Sequence, residues 1–127
     1  MMTAVLPKMR EQKSGKIINV SSIGSEMGLP FRGFYSASKS ALDKVTEAIR
    51  YEVYPWNIHV CSLHLGDIKT NIAEGRVKTF VSKFYQKRYD AMVADIDHEV
   101  QDGTPTEDLI PIIENILTQK NLKPHYY

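Results

Sequence analysis

The sequence lacks the features that mark secreted, membrane-spanning and nucleic-acid-binding proteins. Its 127 residues contain a single cysteine, which excludes an internal disulfide and is typical of a reducing compartment. No apolar run approaches the ~20 residues of a membrane span, and residues 1–13 lack the apolar core of a secretory signal. Sixteen Lys and Arg nearly balance fifteen Asp and Glu, so the charge indicates no nucleic-acid or membrane-surface partner. These absences predict a soluble, cytoplasmic protein.

What is present is an ordinary globular composition, 43% hydrophobic and 24% charged, in which apolar strand-like runs alternate with helical patterns. The strand-like runs lie at 16–22, 58–65 and 122–127, and the helical patterns lie at 3–13, 34–54, 77–100 and 105–119. The first run does not alternate, which predicts a strand covered on both faces. Strands that alternate with helices predict parallel pairing and one half of a doubly wound α/β sheet.

Three polar side chains are candidates for chemistry. Tyr35 and Lys39 lie four residues apart, so both project from one face of the long helix. An ammonium beside a phenol favours the phenolate, and such a tyrosine can exchange a proton with an alcohol or carbonyl oxygen. Ser22 ends the first strand, and ligands in open α/β sheets bind beyond the carboxyl ends of strands. The Tyr-Lys pair is not specific by itself, but the three residues together predict a site.

The surrounding sequence strengthens that prediction. The stretch GKIINVSSIGSEMGLPFRGFYSASKSALDKVTEAIRYEV resembles the short-chain dehydrogenase/reductase family, in its paired serines, glycine loop, Tyr-Ser-Ala-Ser-Lys run and alanine-rich helix. The segment IHVCSLHLGDIKTNI resembles the family's next strand and its nicotinamide-side loop. The resemblance implies a three-layer Rossmann-type parallel sheet. It also implies that residues 1–127 are the C-terminal part of the domain, its catalytic and substrate-side half.

The resemblance implies a role for each matching position. Tyr35 matches the catalytic acid/base, and Lys39 matches the residue that supports it and holds the nicotinamide ribose. Ser22 matches the serine that hydrogen-bonds the substrate oxygen, with Ser21 as the alternative if the register is off by one. The loop that holds the nicotinamide amide and phosphate is matched by Gly66, Ile68 and Thr70. The implied reaction is hydride transfer between NAD or NADP and an alcohol or carbonyl substrate of hydrophobic character. The implied assembly is a homo-oligomer formed through the Tyr-Lys helix.

Some family patterns do not occur in the sequence. The glycine-rich Thr-Gly-x-x-x-Gly-x-Gly turn and the Asn-Asn-Ala-Gly segment are absent, and Leu65 stands where the family usually has proline. A helix N-terminus behind that turn would hold the cofactor pyrophosphate. A second hypothesis is therefore a truncated, catalytically inactive fragment that serves as an interaction or assembly module, using the helix face and the open edge of the strand at 16–22.

Two other groups of residues have plainer interpretations. His59 and Cys61 share a strand face, but His64 lies on the other and no carboxylate pair accompanies them, so the sequence predicts no metal site. Cys61 lies in an apolar strand and is expected to be a buried structural thiol. The aromatic stretch at 80–92 fits either a hydrophobic substrate pocket or a helix that packs its apolar stripe on the sheet.

Overall fold

A computed structural model describes residues 2–77 and 80–127 of the chain. The chain divides into two compact units. The first comprises the residues up to Gly66 together with Glu114–Tyr127, and the second comprises Asp67–Ile113. The helices are α1 (Met2–Gln12), α2 (Gly33–Val53), α3 (Gln86–Gln101) and α4 (Leu109–Thr118), and the strands are β1 (Gly15–Ser22), β2 (Ile58–Leu65) and β3 (His125–Tyr126).

The first unit contains a three-stranded parallel sheet in the order β1-β2-β3. Ser22 lies opposite Leu65, so β1 and β2 end together at the same edge. The α/β class and the partial Rossmann-type sheet predicted from the sequence are confirmed. β3 is shorter than the predicted 122–127, because Pro124 has no N–H for a ladder and contributes only its carbonyl, which accepts from Ser62 N at 2.9 Å.

The core of the first unit is formed by β2 and the helices that cover it. Val53, Ile58 and Val60 are buried, and four further apolar side chains pack against them: Leu6, Met9, Ile17 and Ile49. β2 is buried along nearly its whole length, whereas only Ser21 of β1 is buried. The expectation that β1 is covered on both faces is therefore wrong for this chain. Within the described residues β1 is the edge strand, since its only ladder partner is β2.

The helix that carries the Tyr-Lys pair has clear sequence causes for its end. Pro55 lies in a single 3-10 turn after Val53, and Asn57 then adopts a left-handed conformation with φ 55°. Asparagine tolerates that conformation better than most residues, so the chain reverses there into β2. Both boundaries of α2 lie within two residues of the range predicted from the apolar period.

The second unit differs more from prediction. The helix expected at 77–100 begins at Gln86; residues 80–85 are not helical, and Lys78 and Thr79 lie outside the described residues. Phe80 and Phe84 are 92% and 82% exposed. A helical period stabilises a helix only when its apolar stripe is buried, and this part of the stripe is not.

In the second unit, an isolated parallel β-bridge pairs Ile68 with Thr104, the residue that follows Gly103. The residues before α4 form a 3-10 turn preceded by Pro105, without a side-chain cap. No helix within residues 2–77 and 80–127 is long and apolar enough to cross a membrane.

Candidate active site

Ser22 and Tyr35 flank the same glycine beyond the end of β1. Ser22 Oγ accepts a hydrogen bond from Gly24 N at 3.1 Å, which caps the short turn after the strand. A Cβ added to Gly24 would lie 3.4 Å from Ser22 Oγ and 3.4 Å from Cε1 of Tyr35. The Ser22 hydroxyl and the Tyr35 ring therefore both border Gly24. Because Ser22 Oγ accepts from the backbone, its own proton is available for donation.

The neighbouring serine is directed elsewhere. Ser21 is buried, and its Oγ donates to Oδ2 of Asp43 at 3.0 Å. Successive side chains of a strand point to opposite faces, so Ser21 and Ser22 serve different surroundings. Of the two serines, Ser22 is the one placed beside Tyr35.

Two cations lie next to the Tyr35 ring. Lys39 Nζ lies 6.0 Å from the ring centre and donates to the carbonyl of Val20 at 2.9 Å. An ammonium has three N–H groups, so this bond leaves two for other acceptors. The guanidinium of Arg32 lies 5.9 Å from the same ring, a neighbour that the sequence analysis did not single out. Tyr35 is 40% exposed, so its phenol is accessible from solvent.

The predicted cofactor loop is divided between the two units. Gly66 belongs to the first, where a Cβ on it would lie 3.9 Å from Ile23 in the turn after β1. Ile68 and Thr70 belong to the second, where Ile68 bridges to Thr104 and Thr70 is exposed. The structure thus brings Gly66 to the strand-end turn that also positions Ser22.

The donor set of the first unit fits the ribose end of a nicotinamide cofactor. A hydroxyl, a phenol and an ammonium that share one strand end can donate to sugar hydroxyls and to a substrate oxygen. The turn that would hold a pyrophosphate has no counterpart in the sequence. The residues present therefore fit one end of such a cofactor.

A second polar cluster lies behind Ser22, and sequence reasoning missed it. His64 Nδ1 lies 3.3 Å from the carbonyl oxygen of Ser22, and His64 Nε2 lies 3.0 Å from His125 Nδ1. Asp43 Oδ1 lies 3.8 Å from His64 Nε2. No local spacing could have revealed this cluster, because it depends on the pairing of β3 with β2.

The electrostatics of Asp43 are set by burial and by serine hydroxyls. Burial by itself raises the pKa of Asp43, but the hydroxyls of Ser25, Ser62 and Ser21 together with His64 favour the carboxylate, so the net pKa lies below the usual 3.8. Asp43 is therefore a buried anion at neutral pH.

Comparison with known proteins identifies the class to which this fold and site belong. A sequence model of the short chain dehydrogenase family matches residues 1–80, and the chain belongs to that family. Among curated proteins it is similar to a 3-ketodihydrosphingosine reductase of Bacteroides thetaiotaomicron, with 40% identity over 124 residues. That alignment covers 95% of this chain and 46% of the reductase. The chain thus spans about half the length of the curated relatives that it matches.

Solved structures show the same fold. A short-chain dehydrogenase from Streptomyces avermitilis superposes with a TM-score of 0.77 at 26% identity, covering 98% of this chain and 45% of that one. A short chain dehydrogenase/reductase from Burkholderia phymatum, solved in complex with NAD, gives a TM-score of 0.79 at 18% identity, with 98% and 47% covered. The three-stranded sheet is therefore a partial Rossmann-like domain.

Proposed function

We propose that this chain carries the C-terminal, catalytic half of an NAD(P)-dependent oxidoreductase that interconverts an alcohol and a carbonyl. The observation that carries the proposal is the placement of Tyr35. Its ring and the Ser22 hydroxyl both border Gly24. The Lys39 ammonium and the Arg32 guanidinium lie 6.0 and 5.9 Å from the centre of the ring. Family membership supports the reaction class.

In the reducing direction, the Tyr35 hydroxyl gives its proton to the substrate carbonyl oxygen, and the O–H of Ser22 donates a hydrogen bond to the same oxygen. The phenolate left on Tyr35 is stabilised by the charges of Lys39 and Arg32. In the oxidising direction the phenolate removes the alcohol proton. When bound, a nicotinamide cofactor supplies or accepts the hydride.

Cofactor binding would divide between several groups. We propose that Tyr35 and Lys39 hold the ribose hydroxyls, and that Gly66, Ile68 and Thr70 hold the nicotinamide amide and phosphate, as their match to the family's loop implies. The pyrophosphate requires a glycine-rich turn that these 127 residues do not contain. We propose that a segment outside them supplies it.

The substrate proposed is a ketone with a long apolar portion. The similarity to a 3-ketodihydrosphingosine reductase supports a 3-keto sphingoid base. The second unit supports the same choice, because Phe80 and Phe84 expose large apolar side chains that an acyl chain could cover.

The assembly proposed is a cytoplasmic homo-oligomer formed through α2. Phe34 and Val45 of this helix are 97% and 47% exposed, and burial of such side chains against a second copy would be favourable.

A second candidate function, an inactive interaction module, is favoured by the open edge of β1. Within the described residues its backbone pairs only with β2, so its other edge offers a template for a parallel strand from a partner. This module would need neither Tyr35 nor a nucleotide.

Cofactor binding and turnover distinguish the two candidates. Because the pyrophosphate-binding segment is proposed to lie outside these residues, NADH and NADPH are titrated by fluorescence against a longer protein that joins this chain to a glycine-rich nucleotide-binding segment. Carbonyl reduction is then assayed with a 3-keto sphingoid base. The enzyme proposal expects saturable binding, and a Tyr35→Phe variant that retains binding but loses at least about 100-fold in turnover. Tyr51→Phe, altered at a 79% exposed tyrosine of the same helix, is the matched control. Unchanged turnover in Tyr35→Phe would refute the role of Tyr35, and well-folded chain without nucleotide binding would favour the module.

A further inference from the structure

Three side chains from three different elements meet behind the candidate active site. Asp43 of α2, His64 of β2 and His125 of β3 each offer one ligand atom, and these atoms lie within 4.8 Å of one another. The side chains of Asp43 and His64 are only 7% and 0% exposed, and that of His125 is 23% exposed. The cluster is therefore largely withdrawn from water but open on the His125 side.

The partners of His64 allow it to present a lone pair on Nε2. His64 Nδ1 faces the carbonyl oxygen of Ser22 at 3.3 Å and the Oγ of Ser25 at 3.2 Å, and the carboxylate of Glu26 lies at 3.8 Å. The carbonyl oxygen only accepts, whereas the Ser25 hydroxyl can donate or accept, so Nδ1 has a partner in either tautomer of the ring. In the tautomer with the hydrogen on Nδ1, the lone pair lies on Nε2.

His125 is oriented in the same way from the opposite side. Its Nε2 lies 3.3 Å from Oε1 of Glu47, and a carboxylate also only accepts. The hydrogen of a neutral His125 therefore belongs on Nε2, which leaves a lone pair on Nδ1. His125 Nδ1 lies 3.0 Å from His64 Nε2, a distance that fits a hydrogen bond in one tautomer of His64 and a shared cation in the other.

Asp43 adds a third lone pair to the same point. Its Oδ2 accepts from Ser21, whereas Oδ1 is buried and makes no bond of hydrogen-bond length among the described residues, although the hydroxyls of Ser25 and Ser62 lie close enough to favour the carboxylate. A hydrogen bond between the two imidazoles leaves Oδ1 in that position. A metal cation would satisfy all three atoms at once.

We propose that Asp43, His64 and His125 bind a divalent transition-metal cation of the zinc type. Zinc takes imidazole nitrogen and carboxylate oxygen at about 2.0–2.2 Å in tetrahedral sites, which places neighbouring ligand atoms about 3.3 Å apart. The two imidazole nitrogens at 3.0 Å and the carboxylate oxygen 3.8 Å from His64 Nε2 bracket that separation, and the third pair, Asp43 with His125, lies within 4.8 Å. A water on the exposed His125 side completes the four ligands.

The outer contacts complete the assignment. A metal-binding histidine normally donates its second N–H to a carbonyl or carboxylate, which fixes the ring. The carbonyl oxygen of Ser22 is the acceptor for His64, and the carboxylate of Glu47 is the acceptor for His125. The proposal revises the expectation of no metal site, which considered His64 only with its strand neighbours His59 and Cys61. It stands independently of the proposed oxidoreductase function.

The test is zinc binding to the full 127-residue chain, freed of metal with a chelator. Calorimetry with Zn²⁺ is expected to show one equivalent per chain, and Co²⁺ is expected to give visible d–d bands without thiolate charge transfer, since Cys61 is not a ligand. His125→Gln and Asp43→Asn are expected to weaken zinc binding at least about tenfold. His98→Gln is the matched control, because His98 Nδ1 also lies 3.3 Å from a carboxylate, that of Asp102, on an exposed helix.

Far-ultraviolet circular dichroism verifies that each variant is folded. If Asp43→Asn does not fold, the zinc affinity of His125→Gln tests the proposal, because His125 is the more exposed ligand. Absence of binding by the wild-type chain would overturn the proposal, as would zinc binding that His125→Gln leaves unchanged. A loss of equal size in His98→Gln would also overturn it, because the metal would then be held by surface histidines.

Discussion

Arg50 is the side chain whose removal is expected to affect the first unit most specifically. It lies on α2, and its guanidinium donates to the carbonyl of Val60 at 2.7 Å, to that of Lys123 at 3.3 Å, and to that of Leu122. It thus connects a helix, the central strand and the segment that leads into β3. The only ladder contact of Pro124 within the described residues is the bond from Ser62 N at 2.9 Å, so Arg50 is a principal anchor of this segment.

The magnitude follows from these bonds. A hydrogen bond with a charged partner contributes about 1.5–3 kcal/mol, and removal of the donor leaves part-buried carbonyls unpaired. One of the three bonds is long and the arginine is only half buried, so Arg50→Met is expected to lower the free energy of unfolding by about 2–4 kcal/mol. Arg50→Lys keeps one charged donor but not the planar fork, and about half of that loss is expected.

The assay is thermal unfolding followed by circular dichroism, together with amide hydrogen exchange. For a domain of this size the loss corresponds to a fall in Tm of about 10 °C. Exchange at the Ser62 amide is expected to accelerate, because its acceptor Pro124 becomes mobile. Arg88→Met, at an exposed arginine of α3, is the control. The role of Arg50 as an anchor would be refuted if Arg50→Met kept its Tm within about 2 °C of wild type and the Ser62 amide exchanged at the wild-type rate.

Three further predictions concern other parts of the chain. Burial raises the pKa of the Cys61 thiol from 9.0 to about 11. The folded state therefore holds this proton more tightly than the unfolded state. The contribution of Cys61 to the free energy of unfolding is complete below pH 9, and about 2–3 kcal/mol is lost as pH rises to about 11. Denaturant titrations of Cys61→Ala should lack this pH-dependent loss. A Cβ on Gly103 would lie 2.7 Å from the Asp67 carbonyl oxygen, so Gly103→Ala should destabilise the second unit by about 1–3 kcal/mol. Hydrogen exchange should accelerate at Lys69 N, which donates to Thr104 O. Normal protection of the Lys69 amide would contradict the predicted destabilisation. Gly24→Ala places a methyl 2.9 Å from Leu29 Cδ1 and 3.4 Å from both Ser22 Oγ and Tyr35 Cε1, so these neighbours must shift. It should lower the free energy of unfolding by about 1–3 kcal/mol and reduce turnover at least about tenfold; unchanged turnover in a folded variant would separate Gly24 from the site.

Much of the first unit was predictable because its signals are local. The apolar period of α2, the β-branched run of β1 and the Pro-Trp-Asn reversal before β2 each act over a few residues, and each is found within about two residues of its predicted boundary. The placement of Ser22 and Tyr35 follows from the same local rules, since strand ends and helix starts meet at one edge of a parallel sheet.

The second unit was harder to predict because the same apolar period has more than one outcome. Phe80 and Phe84 continue the stripe of α3 in sequence, but their side chains remain exposed and the helix begins only at Gln86. A period predicts a helix only if some surface buries the stripe, and nothing local to residues 77–85 specifies that surface.

The sequence by itself determined the order of elements, the parallel α/β class and the residue types of the candidate active site, because periodicity and turn chemistry act between near neighbours. The tertiary structure alone decided which serine faces Tyr35, that Arg32 joins Lys39 beside its ring, and that Asp43, His64 and His125 converge. Those contacts join residues up to 82 positions apart (125 − 43) through the pairing of β3 with β2. Strand order and register set such contacts, and no spacing along the chain encodes them.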